Sequence, residues 1–168
     1  MVDDSAARIA EGMRALKPLL GRFKGSGRGD YPTIEAFRYT EDTCFRCNDV
    51  EPLVVYEQRT WMASDGEDDG EPLHWEVGFV RPVDRRTIEM SSSQNGVRVE
   101  VLSGPLEFTD SGFRWVMDSL LIGHDPRPVR TRRVVTLEKD TLSYTVEMQT
   151  TRNPVLQQHL EAVLRRVD

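Results

Sequence analysis

The chain has 168 residues, a length that fits one domain with a core or an enclosed cavity. Its net charge of −6 arises from 28 acidic and 22 basic residues mixed along the sequence, and no basic patch marks a nucleic-acid surface. No apolar run approaches the length needed to cross a bilayer, and Met1 to Ala10 lacks the apolar core of a signal peptide, so the expected location is cytoplasmic.

The first predicted element is an amphipathic helix over Ser5–Lys17, with Ala6, Ile9, Met13 and Leu16 on one face and Pro18 closing it. Residues 1–18 thus read as a helical segment ahead of a single domain over residues 19–168. From Leu19 onward the pattern changes to short runs with alternating, β-branched and aromatic content. These are Arg22–Gly27, Ile34–Arg46, Leu53–Met62, Leu73–Arg81, Thr87–Ser92, Val97–Leu102, Leu106–Phe108, Phe113–Leu121, Val129–Glu138 and Leu142–Thr150. Turn residues separate them, among them Asp30-Tyr31-Pro32, Asn48-Asp49, Gln94-Asn95-Gly96 and Lys139-Asp140. Asp65 to Glu71 reads as a solvated loop tip. Cys44 and Cys47 lie inside a strand-like run, where positions three apart face opposite ways, and read as free thiols in a reducing compartment. The last element, Asn153 to Leu164, reads as a helix, with Asn153 as cap, Pro154 in the first turn, and Leu156, His159, Leu160 and Val163 on one face.

About ten strands in succession form an antiparallel meander, which leaves two open edges unless it closes on itself. The expected fold is all-β: an antiparallel up-and-down β-barrel of about ten strands, lipocalin-like, with a short helix at each end and an interior wide enough for a ligand.

Four features bear on chemistry. Glycine recurs through Gly21-Arg22-Phe23-Lys24-Gly25-Ser26-Gly27-Arg28-Gly29, which implies either a bend at a barrel corner or close approach of backbone to a ligand. Thr33 offers a hydroxyl near the barrel mouth, or is a β-branched strand residue. In Leu73–Phe79, His74, Glu76 and Gly78 share one face and Trp75, Val77 and Phe79 the other, and either face can be the interior. His159, on an apolar face, needs a partner, which is a protein group or a metal centre. No nucleophile elbow or hydrolytic triad is present.

Taken together and in order, several pieces resemble the nitrobindin family from Leu19 to Arg166: Gly21 to Gly27, Tyr31-Pro32-Thr33-Ile34, Phe37-Arg38-Tyr39-Thr40-Glu41, Gln58-Arg59-Thr60-Trp61, Pro72 to Pro82, Gln94-Asn95-Gly96-Val97 and Met148 through Leu164. The resemblance implies a ten-stranded barrel shaped like fatty-acid-binding proteins, holding one ferric haem b per chain. His159 matches the axial iron ligand, and Thr33 and His74 match cofactor contacts. The implied activity is isomerisation of peroxynitrite to nitrate, with nitric oxide as a second small ligand. No nucleic-acid or membrane partner is implied, and the chain is expected to be a monomer or homodimer. Two departures stand out. Phe23 occupies the place of a family tryptophan, and four residues separate Pro154 from His159 where the family has three. The alternative reading is a haem-free carrier of a small apolar ligand such as a fatty acid, with Arg130, Arg132 or Arg133 meeting its carboxylate. A third is an inert barrel whose acidic loop Asp65–Glu71 touches a partner.

Overall fold

The computed structural model describes residues 4–47 and 52–168, with side chains in the first helix from residue 10 onward. The side chains of Ala6 and Ile9 and the expected Asn48-Asp49 turn lie outside the described residues. The elements are a helix α1 (Asp4–Leu16), a 3-10 turn over Lys17–Leu19, and ten strands: β1 (Gly21–Tyr31), β2 (Ile34–Cys47), β3 (Val54–Met62), β4 (Pro72–Pro82), β5 (Thr87–Gln94), β6 (Val99–Phe108), β7 (Gly112–Gly123), β8 (Pro128–Glu138), β9 (Thr141–Thr150) and β10 (Gln157–Arg166). Each strand pairs antiparallel with its chain neighbours, and β10 returns to β1, so the sheet is a closed barrel without a free edge.

The barrel, the antiparallel meander and the strand number agree with the sequence reading, but the tenth strand is a different one. Val97–Leu102 and Leu106–Phe108 are halves of one strand, β6, which runs through Gly104 and Pro105. A Cβ on Gly104 would lie 1.8 Å from the Val116 carbonyl oxygen, so this glycine admits the neighbouring backbone instead of breaking the strand.

The predicted C-terminal helix is overturned: residues 157–166 form β10. Its apolar residues satisfy two periods at once. Leu156, Leu160 and Val163 fit a helical stripe, whereas Leu160, Ala162 and Leu164 fit alternation, and those three turn inward, with Ala162 and Leu164 fully enclosed. Closure decides the outcome. Residues of β10 pair with Phe23–Gly29 on one side and Thr141–Met148 on the other. Without them β1 and β9 would present unpaired N–H and C=O groups, a cost that outweighs helix preferences of a few tenths of a kcal/mol per residue.

One end of the barrel is plugged. Leu16 and Leu19 at the close of the helical segment are fully buried against Phe23, Phe45, Val54, Val80 and Ile88. The other end is a mouth framed by the β1–β2 turn, the acidic loop between β3 and β4, and the segment preceding β10. As expected, Asp65–Glu71 is exposed, and it is tied down by Ser64, whose hydroxyl donates to Asp68 Oδ1 at 2.5 Å. Cys44 and Cys47 are free thiols on β2.

The repeated glycines of β1 follow from packing, and neither a corner bend nor a ligand is needed to explain them. A Cβ on Gly27 would lie 2.3 Å from the Tyr39 ring and 2.5 Å from the Glu161 carbonyl oxygen, and one on Gly29 would lie 2.2 Å from the Phe37 ring. The missing side chains let two β2 aromatics, Phe37 and Tyr39, lie across β1, and the Tyr39 hydroxyl reaches the Glu161 carbonyl of β10. Phe23, in place of the family tryptophan, is fully buried at the plugged end, edge-on to Phe45 and beneath the Arg166 guanidinium. It is eight residues from Tyr31 along β1, roughly 26 Å at a rise of about 3.3 Å per residue, so this departure lies far from the mouth.

Candidate functional site: a polar chamber opening at a histidine-bearing mouth

The interior face of β4 is the polar one. His74 and Glu76 line the cavity, while Trp75 (49 % exposed) and Phe79 (50 % exposed) stand on the outside with Val77. Arg59 stacks on Trp75 from β3, which explains how an indole is accommodated on an outer wall. The inside is therefore a chamber of about 270 Å³ lined by buried polar side chains together with apolar ones.

Two networks make up the polar lining. In the first, Glu41 accepts hydrogen bonds from Thr43 (2.6 Å), Gln58 (2.8 Å) and Tyr144 (2.5 Å), and the Tyr144 hydroxyl also lies 2.9 Å from that of Tyr39. Burial pushes the Glu41 carboxyl above its ordinary value, against those three donors. In the second, Arg133 bridges two glutamates, with Nη1 at 2.9 Å from Glu76 Oε1 and Nη2 at 2.7 Å from Glu100 Oε2. Thr131 donates to Glu100 at 2.9 Å, and His74 Nε2 lies 3.3 Å from Glu76 Oε2. Burial acts to raise the Glu76 carboxyl, but the Arg133 charge and the His74 contact outweigh it and hold it at about 2. Among the described residues, Thr60 Oγ1, Trp115 Nε1 and Arg133 Nε, which line the chamber, are buried without a hydrogen-bond partner, so the chamber keeps polar capacity for a small guest or water.

Sequence reasoning missed most of this lining. Arg130 and Arg132 turn outward and share Asp118, whereas Arg133 turns inward. On β2 the inward Glu41 and Thr43 alternate with Thr40, Asp42 and Cys44, so both faces are polar and show no contrast. The one available signal was alternation itself, anchored on Tyr39 and Phe45.

Of the three predicted site residues, His74 and His159 line one cavity. Thr33 sits in the exposed β1–β2 turn, outside the chamber, on a depression of about 690 Å³ that also includes His159 and Arg98. A second depression, of about 860 Å³ and lined by the acidic-loop side of the mouth, likewise includes His159. The imidazole is thus the point where the chamber and both outer hollows meet.

A β-bulge creates that position. In the β9–β10 ladder Gln158 pairs with Glu147 and Leu160 with Val146, so His159 is the unpaired extra residue. Strict alternation would place His159 opposite in direction to Leu160, and the bulge lets both reach the cavity. The departure in spacing after Pro154 loses its force here, because no helix exists for an added residue to rotate. The ring is held edge-on to Tyr31 at 5.5 Å between centroids, and Nδ1 lies 3.4 Å from the Asp30 carbonyl oxygen. In the tautomer protonated at Nδ1, that nitrogen donates to Asp30, and Nε2 keeps a lone pair with no protein partner among the described residues. Burial lowers the ring's pKa, the Asp30 bond offsets part of this, and the Arg98 charge adds to the lowering, so the neutral form is favoured. Among the described residues no three His, Cys, Asp or Glu side chains converge as a site for a bare metal ion. What is present is one neutral, oriented imidazole flanked by Phe37, Leu73, Met148 and Leu160, a donor set that suits a flat metal macrocycle supplying its own equatorial ligands.

Comparison with known proteins points the same way. A family model described as the THAP4-like, heme-binding beta-barrel domain matches residues 12–166. A protein of Arabidopsis thaliana named peroxynitrite isomerase Rv2717c is 36 % identical over 152 residues, covering 90 % of this chain and 87 % of the relative. A peroxynitrite isomerase of Nocardia farcinica is 35 % identical over 159 residues, covering 90 % and 89 %. The crystal structure of Rv2717c from M. tuberculosis superposes with a TM-score of 0.84 at 30 % identity, covering 94 % of this chain and 98 % of that one.

Proposed function

We propose that this chain, which belongs to the THAP4-like heme-binding β-barrel family, holds one ferric haem b at its mouth through His159 and isomerises peroxynitrite to nitrate. The observation that carries this reading is the bulge-borne imidazole, with Nδ1 committed to the Asp30 carbonyl and Nε2 free. Bound haem would supply a ferric Lewis acid able to take an anionic oxygen ligand.

The chain's own residues do the rest. Asp30 fixes the tautomer and raises the basicity of the ligating nitrogen, and the Tyr31 edge limits rotation of the ring. Phe37, Leu73 and Leu160 would give a bound macrocycle an apolar seat. His74, held near Glu76, and Thr33, on the outer depression, are proposed cofactor contacts from opposite sides of the mouth. Nitric oxide is the second expected ligand of the same centre. No helix among the described residues is long and apolar enough to cross a membrane.

The haem-free carrier reading is less well supported. A fatty-acid carboxylate entering the chamber would compete for Arg133 with Glu76 and Glu100, both already engaged, and would have Arg98 alone of the lining cations to meet it.

The test is titration of the purified apoprotein with hemin, followed by stopped-flow decay of peroxynitrite with nitrate quantified. A saturable Soret band at one haem per chain, lost in His159→Ala, and faster decay with raised nitrate yield are expected. A Soret band of equal intensity in His159→Ala overturns the ligand assignment, and haem loading without faster decay overturns the activity.

A further inference from the structure

The two outer hollows that flank His159 carry opposite charge. On the Thr33 side, Arg98, Arg127 and Arg152 face one acid, Asp125, for a formal balance of +2. On the acidic-loop side, Arg28 and Arg38 face four acids, Asp30, Glu35, Asp65 and Asp68, for a balance of −2. The cations differ in how they are engaged. Arg127 is spent on Asp125 through two hydrogen bonds of 2.9 and 3.0 Å. Among the described residues, Arg98 uses only Nε, at 3.0 Å from Gln94, which leaves its terminal nitrogens available. Arg152 is exposed and has no ion pair or hydrogen bond from its side chain among the described residues.

A planar macrocycle anchored on His159 would be flanked by both hollows, and its anionic edge would be drawn toward the basic one. Resting on the haem assignment above, we infer that the pair Arg98 and Arg152 receives the two propionate carboxylates and so fixes which way round the haem inserts. Guanidinium groups suit carboxylates because their donors match the two oxygens, and the opposite wall repels the same edge. The arrangement also sets a preference among tetrapyrroles. Dicarboxylate macrocycles are retained, and esterified or uncharged ones are bound less tightly. Because Arg152 is exposed and Arg98 only partly buried, the preference is modest and salt-dependent.

Two measurements test this on the whole chain. The first compares affinity for hemin and for hemin dimethyl ester at low salt, in the wild type and in the double variant Arg98→Gln/Arg152→Gln. About fivefold tighter binding of hemin is expected in the wild type, falling to near parity in the variant, with binding of the ester unchanged. The second is proton NMR of the cyanide-ligated complex. Propionate methylene protons should show Overhauser contacts to Thr33 and Thr150, which line the basic hollow. Contacts to Met62 and Ala63, on the acidic side, would overturn the assignment, as would an unchanged hemin-to-ester ratio in the variant. Binding of neither compound by the wild type would overturn the haem reading itself and this inference with it. Equal binding of both would remove only the inference.

Discussion

Replacement of Arg133 by methionine tests the interior most directly. The guanidinium sits 2.9 Å from Glu76 and 2.7 Å from Glu100 in a region where all three side chains are at most one-tenth exposed. Holding the Glu76 carboxyl at about 2 instead of its ordinary 4.5 corresponds to roughly 3 kcal/mol at about 1.4 kcal/mol per pH unit. Removal of one partner from a buried ion pair typically costs about 3–5 kcal/mol, because the remaining charge is left unpaired. A loss of about 3–5 kcal/mol at pH 7 is therefore expected by urea denaturation. The pH profile is the sharper readout. In the wild type the folded-state pKa is depressed, so this stabilisation is complete above pH 4.5 and is lost as pH falls from 4.5 toward 2. In Arg133→Met the cation is gone and burial pushes the Glu76 carboxyl upward, so the variant should recover stability on acidification from pH 7 to 5. The triple variant with Glu76→Gln and Glu100→Gln should recover most of the loss at pH 7. A cost below about 1 kcal/mol at pH 7, with variant and wild-type profiles running parallel, would refute the reasoning.

Other substitutions probe separate features. Tyr144→Phe removes the hydroxyl 2.5 Å from Glu41 and should cost about 1–3 kcal/mol in the same denaturation assay, since it orphans a buried carboxyl oxygen. Gly27→Ala drives a methyl into the Tyr39 ring at 2.3 Å and should lower stability by about 1–3 kcal/mol. Gly70→Ala, at φ +78 with nothing within 4 Å, should cost only the left-handed backbone penalty of about 1–2 kcal/mol, and a thermal melt of the pair compares steric with conformational cost. Titration with a thiol-specific disulfide reagent should modify exposed Cys47 first, followed more slowly by Cys44, whose thiol burial raises above its ordinary pKa.

The barrel was legible because alternation and turn chemistry are local, and β1 to β9 each carry one or both. The last strand was not, because Leu156, Leu160 and Val163 fit a helical stripe as well as Leu160, Ala162 and Leu164 fit a strand. Only the unpaired edges of β1 and β9, which are not local to that segment, choose between them. The same limit applies to the site. His159 stood out as a polar residue on an apolar face, and that much is compositional. The bulge that aims it, the Asp30 carbonyl that orients it, and the inward turn of Arg133 against the outward turn of Arg130 and Arg132 all depend on register. His74 and Glu76 lay on a face whose side was ambiguous until the apolar Trp75 and Phe79 proved to be the outer wall.

The strand that carries the proposed iron ligand is also the seam that shuts the cylinder. During synthesis the first nine strands emerge before residue 159 exists, so no partly made sheet can present the imidazole. Cofactor capture must then follow, or accompany, the zipping of that seam. A tightly gripped macrocycle would in turn act as a clasp, and amide protons along the β1–β10 and β9–β10 ladders should exchange more slowly once it is in place.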